Sequence, residues 1–122
     1  MRIAIIDYGA GNTQSVKYAL KRLGCNSVLT SDKEVISSSD KVIFPGVGQA
    51  TSAMRKLKSK GLDLLIPQLK QPVLGICLGM QLMCNFSEEG NTDCLKIFDS
   101  NVKRFNNSLK VPQIGWNTVF DL

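Results

Sequence analysis

Val73-Leu74-Gly75-Ile76-Cys77-Leu78-Gly79-Met80-Gln81-Leu82 joins a short apolar run to an amphipathic one across a cysteine set between two glycines. Val73 to Ile76 reads as a buried strand, and Leu78 to Met83 as a helix. Gln71-Pro72 ends whatever helix precedes it, because a residue before proline is driven out of the helical region. The same alternation runs back to the start of the chain. Ile3 to Ile6 is a continuous apolar run ending in the Gly-rich turn Asp7-Tyr8-Gly9-Ala10-Gly11-Asn12. Val16, Ala19, Leu20 and Leu23 then form one helical stripe, which Asn12 or Thr13 can cap and Gly24 can end. Ser27 to Thr30 and Lys41 to Phe44 read as further strands. Ala50, Ala53, Met54 and Leu57 form a second stripe, with Gly61 after it, and Leu62, Leu65, Ile66 and Leu69 repeat the spacing. Apolar strands joined by helices imply a parallel sheet covered on both faces. The expected fold is α/β and doubly wound, a flavodoxin-like, mostly parallel sheet. After Glu88-Glu89-Gly90-Asn91 the helical spacing stops. Leu95 to Phe98, Val102 to Phe105 and Trp116 to Phe120 read as strands of a β-rich C-terminal extension.

Bulk composition narrows the chemistry. The 122 residues, 43% apolar and 20% charged, suit one domain spanning 1–122. There is no histidine, which excludes a Ser-His-Asp triad, a Cys-His pair or a His-ligated metal site supplied by this chain alone. The formal charge is +5. Its densest basic stretch, Arg55, Lys56, Lys58 and Lys60, has no interleaved aromatic residues and reads as a solvated helix face, so no nucleic acid is expected. Cys25, Cys77, Cys84 and Cys94 include no CxxC pair and no zinc spacing. No metal and no cofactor are expected. Gly9-Ala10-Gly11 lacks the third glycine of a dinucleotide fingerprint, since Gln14 stands there. The N-terminal apolar run is too short for a signal peptide, and nothing approaches the ~18 apolar residues of a membrane span. The expectation is a cytoplasmic chain with free thiols and no membrane contact.

Two loops carry chemistry. Gly75-Ile76-Cys77-Leu78-Gly79 has the form of a nucleophile elbow. In such a turn the thiol stands exposed at a helix N-terminus, whose dipole favours the thiolate, and the Leu78 amide can donate to an oxyanion. The same pentapeptide also fits a buried structural cysteine between incidental glycines. Phe44-Pro45-Gly46-Val47-Gly48 ends one strand and precedes a helix. Its closely spaced glycines let main-chain amides approach a ligand, though a plain strand-to-helix turn would look alike. In a doubly wound sheet both loops lie at the carboxyl ends of strands, where ligands bind.

Together with Lys110-Val111-Pro112-Gln113-Ile114-Gly115-Trp116-Asn117, these motifs occur in one order, and the chain resembles the class I glutamine amidotransferases. Within them it is similar to the glutaminase subunits of imidazole glycerol phosphate synthase, over essentially every residue. The resemblance implies that Cys77 attacks the side-chain amide of glutamine, forming a thioester and releasing ammonia. It implies an oxyanion hole from the Gly46–Val47 loop after a flip of the strand, together with Leu78. Gln81 and Glu89, beside Gly48, would hold the amino-acid end of the substrate. Gly11, Asn12, Gln113, Trp116 and Asn117 would face a partner, a (β/α)8-barrel cyclase of histidine biosynthesis that takes up the ammonia. Trp116 would equally suit a core or covering aromatic. Family domains run to about 200 residues, and the resemblance places the catalytic His and Glu beyond the segment seen here. The expectation is therefore the N-terminal part of such a domain, catalytically incomplete by itself and prone to self-associate through exposed sheet edges. Gln113 stands where the family usually has His, which bears on partner coupling. The alternative function is a non-catalytic module that docks on the cyclase.

Overall fold

The structure, a computed structural model, describes residues 1–108 and 110–122. Four short runs make one parallel sheet: β1 (Ile3–Ile6), β2 (Ser27–Thr30), β3 (Lys41–Phe44) and β4 (Val73–Gly75), in the order β2-β1-β3-β4. The register pairs Ile3 with Ser27 on one side and with Lys41 on the other, and Phe44 with Gly75. Strand order reverses at β1, so the carboxyl ends of β1 and β3 flank the switch point of a doubly wound sheet.

Crossover helices follow from local signals. α1 (Thr13–Arg22) starts where the Asn12 side chain accepts from the Ser15 amide, and it ends in Lys21 and Arg22, which suit the negative end of the helix. α2 (Lys33–Ser38) is capped by Asp32, which accepts from the Glu34 and Val35 amides. This short helix was not anticipated. It buries Ile36 alone, so it has no periodic stripe, and the Asp32 cap is its one sequence signal. α3 (Ala50–Ser59) buries the expected Ala50, Ala53, Met54 and Leu57. The stripe from Leu62 to Leu69 is shorter than its spacing suggests. α4 covers only Leu62–Leu65 and passes into a 3-10 turn, Ile66–Gln68, because Pro67 cannot donate into a continuing helix.

Successive residues of β1 serve opposite faces. Ala4 and Ile6 pack with Val42, Phe44, Leu57, Leu62 and Leu82 in the larger core. Ile3 and Ile5 pack with Ile43 and Leu20 in a smaller one under α1. β4 is an edge strand with Leu74 exposed, and Ile76 and Met80 beyond it are also exposed.

The C-terminal extension differs from its expected layout. Its strands are β5 (Phe86–Ser87), β6 (Thr92–Asp93) and β7 (Asn101–Val102), in the order β6-β5-β7. Leu95 to Phe98 is not a strand. Its amides turn inward to the Leu82, Cys84 and Met83 carbonyls at the end of α5 (Leu78–Leu82). Trp116 to Phe120 is likewise no strand, and among the described residues 103–122 carry none. A strand there would need a partner edge, and this segment meets none.

Leu57 is wholly enclosed whereas Leu64 is exposed. Leu57→Ala is expected to lower stability by about 3 kcal/mol in urea unfolding, through lost transfer energy and a residual cavity. Leu64→Ala should change it by less than about 0.5 kcal/mol.

Candidate active site

Cys77 lies between β4 and α5 with φ 54° and ψ −118°, a conformation that a non-glycine residue holds only when its surroundings impose it. The glycines on either side are those surroundings. A methyl at Gly75 would lie 2.7 Å from the Met80 Cα, and one at Gly79 would overlap the Phe44 carbonyl oxygen. The turn is further fixed by the Ile76 amide donating to Phe44 O (3.0 Å) and the Gly79 amide to Ile76 O (3.0 Å). Helix and strand thus approach closely enough to force the chain through Cys77, and its side chain is exposed. The reading of Cys77 as a buried structural thiol does not hold. The helix that follows, α5, has only five residues.

The loop after β3 lies against this turn. The Leu78 amide, expected as an oxyanion donor, instead donates to the Gly46 carbonyl at 3.3 Å. Gly46 is packed from three sides, since a methyl there would meet the Gly79 nitrogen, the Tyr8 hydroxyl and the Leu78 Cβ. Val47 is 58% exposed and outside the core. Beneath the loop, the buried Tyr8 hydroxyl donates to Pro45 O at 2.9 Å, and its ring leans on Phe44 at a centroid distance of 5.5 Å. Burial pushes the Tyr8 phenol well above its ordinary 10.0, and the nearby Cys77 side chain adds to the shift. The sequence alone assigns Tyr8 no role beyond its place in the Gly-rich turn.

Cys77 opens onto a cleft of about 660 Å³, lined also by Gly48, Leu78, Gln81, Glu88, Glu89 and Arg104. The hairpin between β5 and β6 brings the acidic pair in. The Glu89 carboxylate accepts from the Ala50 amide (2.9 Å), capping α3, and Thr51 and Thr92 share a hydroxyl bond of 2.6 Å. Gln81 and Gly48, expected around the substrate, reach the same cleft. Gly46 and Val47 are not among its lining residues in this arrangement of the loop. Among the described residues, no group of three His, Cys, Asp or Glu side chains converges.

The expected partner-facing residues are dispersed. A methyl at Gly11 would come within 3.2 Å of the Gly46 amide, so the Gly-rich loop touches the Pro45–Gly48 loop directly. Asn12 caps α1. Gln113, Trp116 and Asn117 are exposed, and Trp116 is fully so, which removes its reading as a core aromatic. Cys84 lies beyond the end of α5 and is half-buried. Burial pushes the Cys94 thiol up.

The sequence profile of the class-I glutamine amidotransferases matches residues 4–121. The chain belongs to this family. Its sequence is 63% identical over 122 residues to the imidazole glycerol phosphate synthase subunit HisH of Bacteroides fragilis YCH46, covering 98% of this chain and 62% of that one. It is 50% identical over 120 residues to the same-named subunit of Haemophilus influenzae KW20, covering 98% and 60%. This amidotransferase chain therefore spans about three-fifths of the length of the relatives it matches. Among solved structures, a glutamine amidotransferase superposes with a TM-score of 0.68 at 19% identity, over 81% of this chain and 54% of that one. A Listeria monocytogenes protein assigned as a peptidase E gives 0.63 at 17%, over 80% and 63%. These two likenesses concern the fold alone. No helix among the described residues is long and apolar enough to cross a membrane.

Two substitutions separate the contacts that hold the turn. Gly79→Ala, which collides with main chain, is expected to lower stability by about 3 kcal/mol or more. Gly48→Ala, with φ 102° and open space around it, should cost only the backbone penalty of about 1–2 kcal/mol. Urea unfolding of both variants measures the difference. Tyr8 sets an alkaline limit. With its folded pKa raised, its contribution is complete below pH 10.0 and is lost as the pH climbs from there toward the folded value. Tyr8→Phe should cost about 1 kcal/mol at neutral pH, because Pro45 O loses its donor, and should flatten the decline above pH 10. Equal slopes in the two proteins would count against this.

Proposed function

We propose that this chain is the nucleophile-bearing part of the glutaminase subunit of imidazole glycerol phosphate synthase. The observation that carries the reading is the exposed Cys77, held at positive φ over a cleft that also contains Gln81 and Glu89. Glutamine enters with its amide carbon at the Cys77 sulfur and its amino-acid end toward Gln81, Gly48 and Glu89. The sulfur bonds to the amide carbon, and the carbonyl electron pair moves onto oxygen. As the carbonyl reforms, the C–N bond breaks and the nitrogen leaves as ammonia, taking up the proton that the thiol gave. Water then cleaves the thioester to glutamate.

Two requirements follow. The proton needs a carrier, and these 122 residues include no histidine, so the acid–base group comes from outside this segment. The oxyanion also needs donors. The Gly46–Val47 peptide must rotate, freeing the Leu78 amide and turning the Val47 amide inward. The exposed Val47 side chain lets that peptide turn without unpacking the core. The reaction uses no cofactor and no metal.

The partner is the barrel-shaped cyclase that consumes the ammonia with a phosphorylated ribulosyl-imidazole intermediate. Gly11, Asn12, Gln113, Trp116 and Asn117 face it, and the complex works in the cytoplasm. The contact of Gly11 with Gly46 gives a docked partner a short route to the oxyanion loop. In isolation the free β4 edge, with Leu74, Ile76 and Met80 exposed, drives self-association. A second reading, a non-catalytic module that docks on the cyclase, is favoured by the exposed Trp116 and the lack of a base.

The chain is to be combined with the remaining segment of the Bacteroides fragilis relative and treated with 6-diazo-5-oxo-L-norleucine. Covalent mass on Cys77 and ammonia release from glutamine are expected, with release near background for the chain alone, a loss of about 10⁴-fold or more. An unlabelled Cys77 in the completed domain sinks the glutaminase reading. Retention of the cyclase in a pull-down without any ammonia release supports the docking module instead.

A further inference from the structure

We propose that Tyr8 is a positioning residue for the reaction at Cys77: its hydroxyl fixes the Pro45–Gly46 peptide, so that only the Gly46–Val47 peptide turns when the oxyanion donors are assembled. The assignment rests on the glutaminase reading and adds a residue that reading does not use. Tyr8 follows β1 and Cys77 follows β4, and β3 lies between those strands in the sheet. The Tyr8 side chain is buried, and its ring leans on Phe44, the last residue of β3. Its hydroxyl donates to Pro45 O at 2.9 Å, and a methyl at Gly46 would lie 2.7 Å from that oxygen.

Phenylalanine would supply the same apolar ring to this core. A hydroxyl at such depth needs an acceptor, and here it takes the carbonyl of the peptide that ends at Gly46. Pro45 has a fixed φ and no N–H, so its carbonyl is the one main-chain group by which it can be held. Two peptides meet at the Gly46 Cα, and they are held unequally. The first is tied into the core by Tyr8. The second is tied through Gly46 O to the Leu78 amide by a longer contact of 3.3 Å, and it leads to the exposed Val47. Turning the second peptide changes ψ of Gly46 and φ of Val47 and leaves Pro45 O where it is. The Tyr8 bond is therefore compatible with both arrangements of the loop. Without it the first peptide turns as well, and the Val47 amide swings on a pivot that is no longer fixed. A donor aimed at developing charge works by being held in place before the charge appears. Loss of the hydroxyl thus acts on the rate of bond making and spares substrate affinity.

The test uses the chain completed with the remaining segment of the Bacteroides fragilis relative and bound to the cyclase. Tyr8→Phe is expected to lower kcat for ammonia release from glutamine by about tenfold, with KM within about twofold of the unmodified value. Iodoacetamide alkylates Cys77 by a displacement that puts no charge on a carbonyl oxygen, so its rate should be unchanged. Ile36→Val, a trimmed core residue on α2 away from the cleft, supplies a comparable loss of stability and should leave kcat unchanged. Hydrogen exchange at the Leu78 amide, read by NMR, should be about fivefold faster in Tyr8→Phe than in Ile36→Val.

An unchanged kcat in Tyr8→Phe overturns the assignment. So does a fall in kcat shared by Ile36→Val, a matching fall in the iodoacetamide rate, or equal exchange at Leu78 in the two variants. Each of these leaves the glutaminase reading standing. Absence of ammonia release from the unmodified complex sinks that reading, and the assignment with it.

Discussion

The contact between Gly79 and the Phe44 carbonyl governs the rest of this molecule. No side chain fits there, so α5 can press its first turn against the end of β3. That approach leaves the chain one path from β4 into α5, through a cysteine at φ 54°. The strain at Cys77 is sustained by the packing of Leu78 and Leu82 into the larger core, next to Phe44. Core, turn and exposed sulfur are thus one mechanical unit. A residue in this conformation costs of order 1–3 kcal/mol, and the burial of two leucine side chains is of comparable or greater size.

The same contact determines the state of the neighbouring loop. With α5 so close, the Leu78 amide meets the Gly46 carbonyl. Tyr8 holds the preceding peptide through Pro45 O, so any rotation is confined to the Gly46–Val47 unit. Gly11 touches Gly46 on one side, and the Lys56 ammonium donates to Gly9 O at 3.0 Å on the other side of the same Gly-rich loop. The loops after β1 and β3 are therefore packed against one another at the switch point of the sheet.

The hairpin and β7 complete the cleft without contributing to the main sheet. Glu89 is both the cap of α3 and a wall of the cleft, so hairpin placement and helix stability are linked. The opposite side of the molecule is less finished. Among the described residues β4 has no further strand beside it, and the apolar side chains near it are exposed. The relatives that match this chain are longer, and the chain spans 62% of the Bacteroides fragilis one.

How much of this could be read from residues alone depends on how local each cause is. The four parallel strands, α1 and α3 announce themselves through apolar runs and stripes, since their burial repeats with the period of the element. The elbow was equally legible, because two glycines around a cysteine at a strand end report a steric constraint carried by the main chain itself. Family membership followed from the same motifs. α2 was missed because one buried isoleucine makes no period. The strands expected at Leu95 to Phe98 and Trp116 to Phe120 failed because an apolar run does not say whether an edge is available to pair with it.

Sequence by itself determined the class of fold and the glycine-flanked turn at Cys77, both consequences of residue type at short range. Tertiary structure alone decided that the Leu78 amide is occupied by Gly46, that the Tyr8 hydroxyl anchors Pro45, and that Lys103 and Arg104 share a cleft with Cys77. Each of those depends on segments far apart in the chain being brought to one place by the core, and no local pattern encodes which main-chain groups will then face one another.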